Sequence, residues 1–245
     1  MTMNRDIYIQ NGPVFKGREE FRETKKMMNE IKKNPSLLTF HRCNNFLEFK
    51  ISEDSFKKSE DHAYDYAEYF AKGDKNTHQG DVARTFDEVR LSALGGKISE
   101  FALYEFLNSM NITATPPDIK VFKGHEECDM TSTINCKNTR IDVKSTNIRG
   151  SLPLLPRKDY QEGERLHRKH DILAFLRWLG ERNCQIIGFV NYESLYKLFK
   201  VQEDEKTYIK KDLPFGNINN RAKEDNYFIH GDDMFGYSIL KTFGK

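Results

Sequence analysis

Two stretches, 171–178 and 185–190, are apolar at almost every position, and they constrain the fold more than anything else in the chain. A surface helix leaves a polar stripe and a half-exposed strand alternates, whereas a short unbroken apolar run fits a strand covered on both faces. Ile172 to Leu176 and Ile186 to Val190 therefore read as buried strands of a central sheet.

The elements that must cover such strands lie upstream. The segment 81–94 has a helical pattern, Gly95-Gly96 is expected to interrupt it, and 97–110 starts a second helix. On a wheel of about 100° per residue, Ile98, Ala102, Leu103, Phe106, Leu107 and Met110 fill one arc, with Glu100 at its margin beside Tyr104. Three extended segments follow, at 118–122, 128–134 and 139–145. A helix, three strands, a connection and two strands make an α/β sheet core. Ahead of it, 18–33 repeats Phe21, Thr24, Met28 and Ile31 at helical spacing before Asn34-Pro35. In 46–52, Leu47, Phe49 and Ile51 alternate with polar residues as in a half-buried strand, and a short helix is expected at 59–71. The polar stretch 72–79 is the best boundary, giving an N-terminal addition over 1–75 and a core with a C-terminal extension over 76–245.

Composition excludes several classes. A chain of 245 residues with 38% hydrophobic content and a net charge of +2 suits a globular protein rather than a histone-like one. No apolar run approaches the roughly 18 residues that span a bilayer, and the polar N-terminus lacks a signal-peptide core, so a soluble cytoplasmic protein with no membrane partner is expected. Cys43, Cys128, Cys136 and Cys184 lack zinc-site spacing. Gly95-Gly96-Lys97 lacks the spacer of a phosphate loop, so no nucleotide cofactor is inferred, and Gly95 reads as a helix stop.

The chemistry concentrates in Arg140 to Ser145. Strand alternation buries Ile141 and Val143 and turns Asp142 and Lys144 to the other side, so an acid and an amine share one space. Upstream, Asp129 begins another strand, and Asn135 to Asn138 suit a hairpin turn. A turn centred between Cys136 and Lys137 sets Asp129 opposite Lys144 and Thr131 opposite Asp142. Asp129 and Asp142 are then diagonal neighbours on the order of 7 Å apart, able to share one divalent cation. Such a set suits phosphodiester hydrolysis. Hard Mg²⁺ takes carboxylate, phosphate and water oxygens, neutralises phosphate charge and lowers the pKa of bound water, while Lys144 orients or deprotonates that water. Glu100 could join the metal shell or hold Lys144.

These residues, Gly96-Lys97-Ile98-Ser99-Glu100, Cys128-Asp129-Met130 and Ile141-Asp142-Val143-Lys144, resemble the motif set of the PD-(D/E)xK nuclease superfamily, which includes most type II restriction endonucleases. The resemblance covers about 81–190. It implies a restriction-endonuclease-like core with a mixed sheet of about five strands flanked by helices and an N-terminal helical addition. It implies Asp129 and Asp142 as metal ligands, Glu100 as the helix carboxylate and Lys144 as the catalytic lysine. The literal Pro117-Asp118 pair falls on the segment directly after the helix, so Asp129 is preferred and Asp118 held in reserve. The segment 137–169 carries nine basic residues against four acidic ones, and Arg149, Arg157, Lys158, Arg165, Arg168 and Lys169 would contact DNA phosphates beside the site.

The resulting expectation is a Mg²⁺-dependent endodeoxyribonuclease acting on double-stranded DNA, most like a type II restriction enzyme, working as a homodimer on a palindromic site. Two alternatives stand beside it. One is a repair, recombination or phage nuclease that recognises DNA structure, and the other a DNA-binding protein that keeps the fold without turnover.

Overall fold

A computed structural model describes residues 47–72, 78–79, 82–121, 128–134, 137–146, 154–157, 160, 170–204, 206, 208–212, 222, 225–229 and 234. The expected helix at 18–33 and the basic residues Arg149, Lys158, Arg165, Arg168 and Lys169 lie outside the described residues.

Five strands form one mixed sheet in the order β1 (Leu47–Lys50), β8 (Asn183–Asn191), β7 (Ile172–Gly180), β5 (Lys137–Thr146) and β4 (Met130–Ile134). Every neighbouring pair is antiparallel except β5 and β7, which run parallel. The two apolar runs become β7 and β8, adjacent and central. Two short ribbons pair β2 (His78–Gln79) with β3 (Val82–Ala83) and β6 (Leu154–Pro156) with β9 (Asn226–Phe228).

Helix α1 (Glu53–Lys72) is longer than its apolar pattern suggested. Ser52 starts it, its hydroxyl accepting the Ser55 N–H at 3.2 Å while its own N–H and hydroxyl donate to Glu105. Helix α2 (Phe86–Ser109) opens with a capping box, in which the Thr85 hydroxyl accepts the Glu88 N–H and the Glu88 carboxylate accepts the Thr85 N–H. It then runs unbroken through Gly95 and Gly96, contrary to the interruption expected from sequence. Gly95 has a packing role within the helix. A Cβ on Gly95 would stand 3.2 Å from Cε3 of Trp178, so the glycine lets the helix lie close against β7. Helix α3 (Tyr192–Asp204) buries Leu195, Leu198, Phe199 and Gln202, one stripe at three-to-four-residue spacing.

The sheet separates two cores. On one face, Ile98, Ala102, Leu103 and Phe106 of α2 pack with Ile141, Ile172, Ala174 and Phe189. On the other, Leu173, Phe175 and Ile187 meet Leu195, Leu198 and Phe199 of α3 and Tyr227 of β9. Phe49, Ile51 and Ala63 belong to the first core. Strand β1 and helix α1 are thus part of the sheet assembly, and the boundary expected near residue 75 divides no core among the described residues. The extended segment expected at 118–122 is not a strand over 118–121; instead 113–115 bonds along β4, with Thr115 N–H on Thr131 O and Thr133 N–H on Thr113 O. Among the described residues no helix is long and apolar enough to cross a membrane.

Candidate active site

Strand β5 carries Asp142 and Lys144 on one face. Their parallel neighbours on β7 are Leu173 and Phe175, both of the α3-side core, whereas Ile141 and Val143 face α2. Nζ of Lys144 lies 2.7 Å from Oδ2 of Asp142, with the carboxylate side chain 18% exposed and the lysine 42% exposed. The ammonium thus reaches solvent while the acid sits below it.

Asp129 enters this space from just before β4. The hairpin register places Met130 opposite Ile141, Thr131 opposite Arg140 and Ile134 opposite Lys137. That differs by two residues from the pairing drawn from sequence, which set Thr131 against Asp142. The correction lies in the pairing of β4 with β5, where Ile134 stands opposite Lys137. Because the slip is even, side-chain parity survives. Continued past Met130, the register brings Asp129 directly across from Asp142 rather than diagonal to it.

The Asp129 carboxylate accepts the Val143 N–H at 2.5 Å and also shares a hydrogen bond with the Asp142 carboxylate. Burial is the larger cause and the neighbouring Asp142 charge the next, and together they push Asp129 up to about 7 from an ordinary value of 3.8. The Val143 N–H and the Lys144 ammonium act the other way and do not win. Two acids held this close retain a proton between them near neutrality.

Glu100 is placed differently. It rises from α2, which packs on the opposite face of the sheet, and its carboxylate lies 2.6 Å from Nζ of Lys97. Lys97 also donates to the Asp118 carbonyl at 2.7 Å, and both side chains are at most 15% exposed. The Asp118 carboxylate accepts the N–H of Lys120 two residues on, closing a local turn. Asp129, not Asp118, is therefore the acid that meets Asp142.

One neighbour was not anticipated. His170, just ahead of the first apolar run, is buried, its ring edge-on to Tyr160 at a centroid distance of 6.3 Å. Burial holds its imidazole below the ordinary range against the pull of Asp142, and Lys144 lowers it further. Beside it the Asp171 carboxylate accepts the Arg140 N–H at 3.0 Å, joining the start of β7 to β5. No periodicity around His170 signals its burial; the contact with Tyr160 supplies it.

Arg157, expected on DNA phosphates, binds protein carboxylates. Its Nε and Nη2 take the two oxygens of Glu203 at 2.5 and 2.8 Å, Nη1 reaches Asp225 at 3.2 Å, and the Tyr208 ring lies 4.1 Å from its carbon. Its guanidinium is committed on all three nitrogens.

Among the described residues no group of three or more His, Cys, Asp or Glu side chains gathers to hold a metal ion. The chain's offer at this spot is the pair Asp129 and Asp142. That donor set fits Mg²⁺, which takes one or two protein carboxylates and completes its shell with water and phosphate oxygens, and a dication would favour the ionised form of Asp129 against its burial and the neighbouring Asp142 charge. Comparison with known proteins finds no family, no curated protein and no solved structure that matches this chain.

Proposed function

We propose that this chain is a Mg²⁺-dependent endodeoxyribonuclease that hydrolyses phosphodiester bonds in double-stranded DNA, in the manner of a type II restriction enzyme. The observation that carries the reading is the meeting of Asp129 and Asp142 under the Lys144 ammonium, 2.7 Å from Asp142. A purely structural ion pair neutralises charge. Here two acids face one amine: with Asp129 protonated the charges balance, and a cation that displaced that proton would find two carboxylates as ligands.

Each residue then has a distinct task. Asp129 and Asp142 would hold the ion, Asp129 kept in place by the Val143 N–H and Asp142 by its position on β5. Bound Mg²⁺ supplies charge neutralisation at the phosphate and a lower pKa for water. Lys144, exposed at its tip and tethered to Asp142, orients the attacking water or moves its proton. Strand β5 fixes the spacing between acid and amine, so the attack geometry is set by backbone rather than by a flexible loop. Arg149, Lys158, Arg165, Arg168 and Lys169 remain the proposed phosphate contacts, and a two-fold dimer on a palindromic site follows from the same analogy.

The test is incubation of pure protein with plasmid DNA and Mg²⁺, with EDTA and Lys144→Ala as controls, and sequencing of the ends. Discrete ends at a repeated short sequence, lost in both controls, support a site-specific nuclease. Cleavage only of branched or nicked substrates supports a structure-specific one, and intact DNA under all conditions counts against nuclease activity.

A further inference from the structure

Two rungs of the sheet bear on the catalytic face. The first pairs Lys144 with Phe175. One same-face step along, the register aligns Thr146 of β5, Arg177 of β7, Gln185 of β8 and Glu48 of β1 in a single row. Leu173 and Phe175, which precede Arg177 at alternate positions, pack into the α3-side core, so Arg177 belongs to the face of Asp142 and Lys144. With strands about 4.8 Å apart and a same-face step of about 6.6 Å, its backbone lies roughly 8 Å from that of Lys144.

Arg177 is 6% exposed, yet it has no carboxylate partner among the described residues. Its Nη1 donates to Oε1 of Gln185 at 3.1 Å, and Gln185 in turn donates to Glu48 at 3.3 Å, so the one acid of the row is reached only through an amide. Nε and Nη2 are buried without a hydrogen-bond partner. A guanidinium keeps its charge in proteins, so burial does not neutralise it, and two unmet donors on a buried cation are costly. The unmet pair is also the fork edge that matches two oxygens of one phosphate, with Gln185 fixing the opposite end.

We propose that Arg177 is a phosphate-binding residue of this face, its Nε and Nη2 taking a backbone phosphate that neighbours the scissile one on the bound DNA strand. The assignment rests on the nuclease reading above. Both nitrogens lie below the surface, so binding is accompanied by local opening at this end of the face.

The experiment measures affinity of the full chain for a duplex oligonucleotide across a salt series in EDTA, for the wild type, Arg177→Met and Arg177→Lys, with thermal unfolding of each. Arg177→Met should bind about tenfold or more weakly, with a log–log salt slope reduced by about 1, while unfolding no earlier than the wild type, because a buried unmatched charge has been removed. Arg177→Lys should keep the salt slope but recover affinity only in part, since an ammonium lacks the fork. If Arg177→Met unfolds, the lysine variant decides: affinity equal to the wild type overturns the assignment, and weaker binding at an unchanged slope supports it. A wild type that binds and cuts DNA beside an Arg177→Met that binds equally well with the same slope overturns this assignment alone. A wild type that neither binds nor cuts overturns the nuclease reading and the assignment with it.

Discussion

Two charge clusters in this molecule obey opposite rules. Around Arg157, a guanidinium lies between Glu203 and Asp225 while the Tyr227 hydroxyl donates to Glu203 at 2.5 Å, so donors meet acceptors and the pair of opposite charges is closed. Arg157 is held more basic than usual by Glu203, and burial pushes the Tyr227 phenol up. Around Asp142 a second acid is buried beside the first, and burial, with the Asp142 charge next, holds the proton on Asp129 up to about 7. The first cluster ties β6, α3 and β9 together; the second costs the fold stability and is retained. Two acids held in contact at that cost support the proposed site over a scaffolding role.

The largest effect that separates the clusters is on chemistry. Asp142→Ala and Lys144→Ala should each lower DNA cleavage by about 10³-fold or more in single-turnover assays, with duplex affinity largely retained. Equal loss of binding would mean these residues hold DNA rather than act on it. Next in size, Arg157→Met should leave cleavage unchanged at low temperature but destabilise the fold by about 2 kcal/mol, a melting shift of roughly 5 °C, because it removes the cation that lies between Glu203 and Asp225.

The acidic pair should behave in the reverse sense. Asp129 titrates near 7 when folded and 3.8 when unfolded, so the folded chain holds a proton that the unfolded chain has released. Stability from this group is full below about pH 4 and is lost as pH rises towards 7. In EDTA, Asp129→Asn should therefore stabilise the protein by about 1–3 kcal/mol at pH 8 and by little at pH 4, while cleavage is lost. Equal melting shifts at both pH values would mean that the proton is not held. The smallest effect is expected at Glu100, whose carboxylate is paired with Lys97; Glu100→Gln should cost about tenfold or less in cleavage rate, and a loss equal to that of Asp142→Ala would place it in the metal shell.

Much of this arrangement is legible from local pattern. Alternation in 140–145 puts Asp142 and Lys144 on one face, and two apolar runs identify the central strands, because both signals depend only on strand period. What escaped depends on contacts between distant segments. Helix α2 passes through Gly95 and Gly96, and the close approach of Trp178 that favours a glycine at 95 is not written anywhere in 81–110. The hairpin slipped by two residues because several turn placements suit Asn135 to Asn138, and only pairing along β4 selects one. Arg157 was read from charge density, which does not tell a solvated cation from one bound to Glu203. Arg177 stood in plain view as the one charge inside an apolar run, a signal that could have been used. The spacing of Leu195, Leu198, Phe199 and Gln202 is likewise a helical signal, and no helix was expected there.

The most direct test of the acidic centre is the initial rate of supercoiled-plasmid nicking as a function of Mg²⁺, for the wild type and Asp129→Asn side by side. The account predicts a saturable rise with Mg²⁺ in the wild type and none, or one displaced to far higher Mg²⁺, in Asp129→Asn. Identical Mg²⁺ curves for the two proteins, or no nicking by the wild type at any Mg²⁺ concentration, would contradict it.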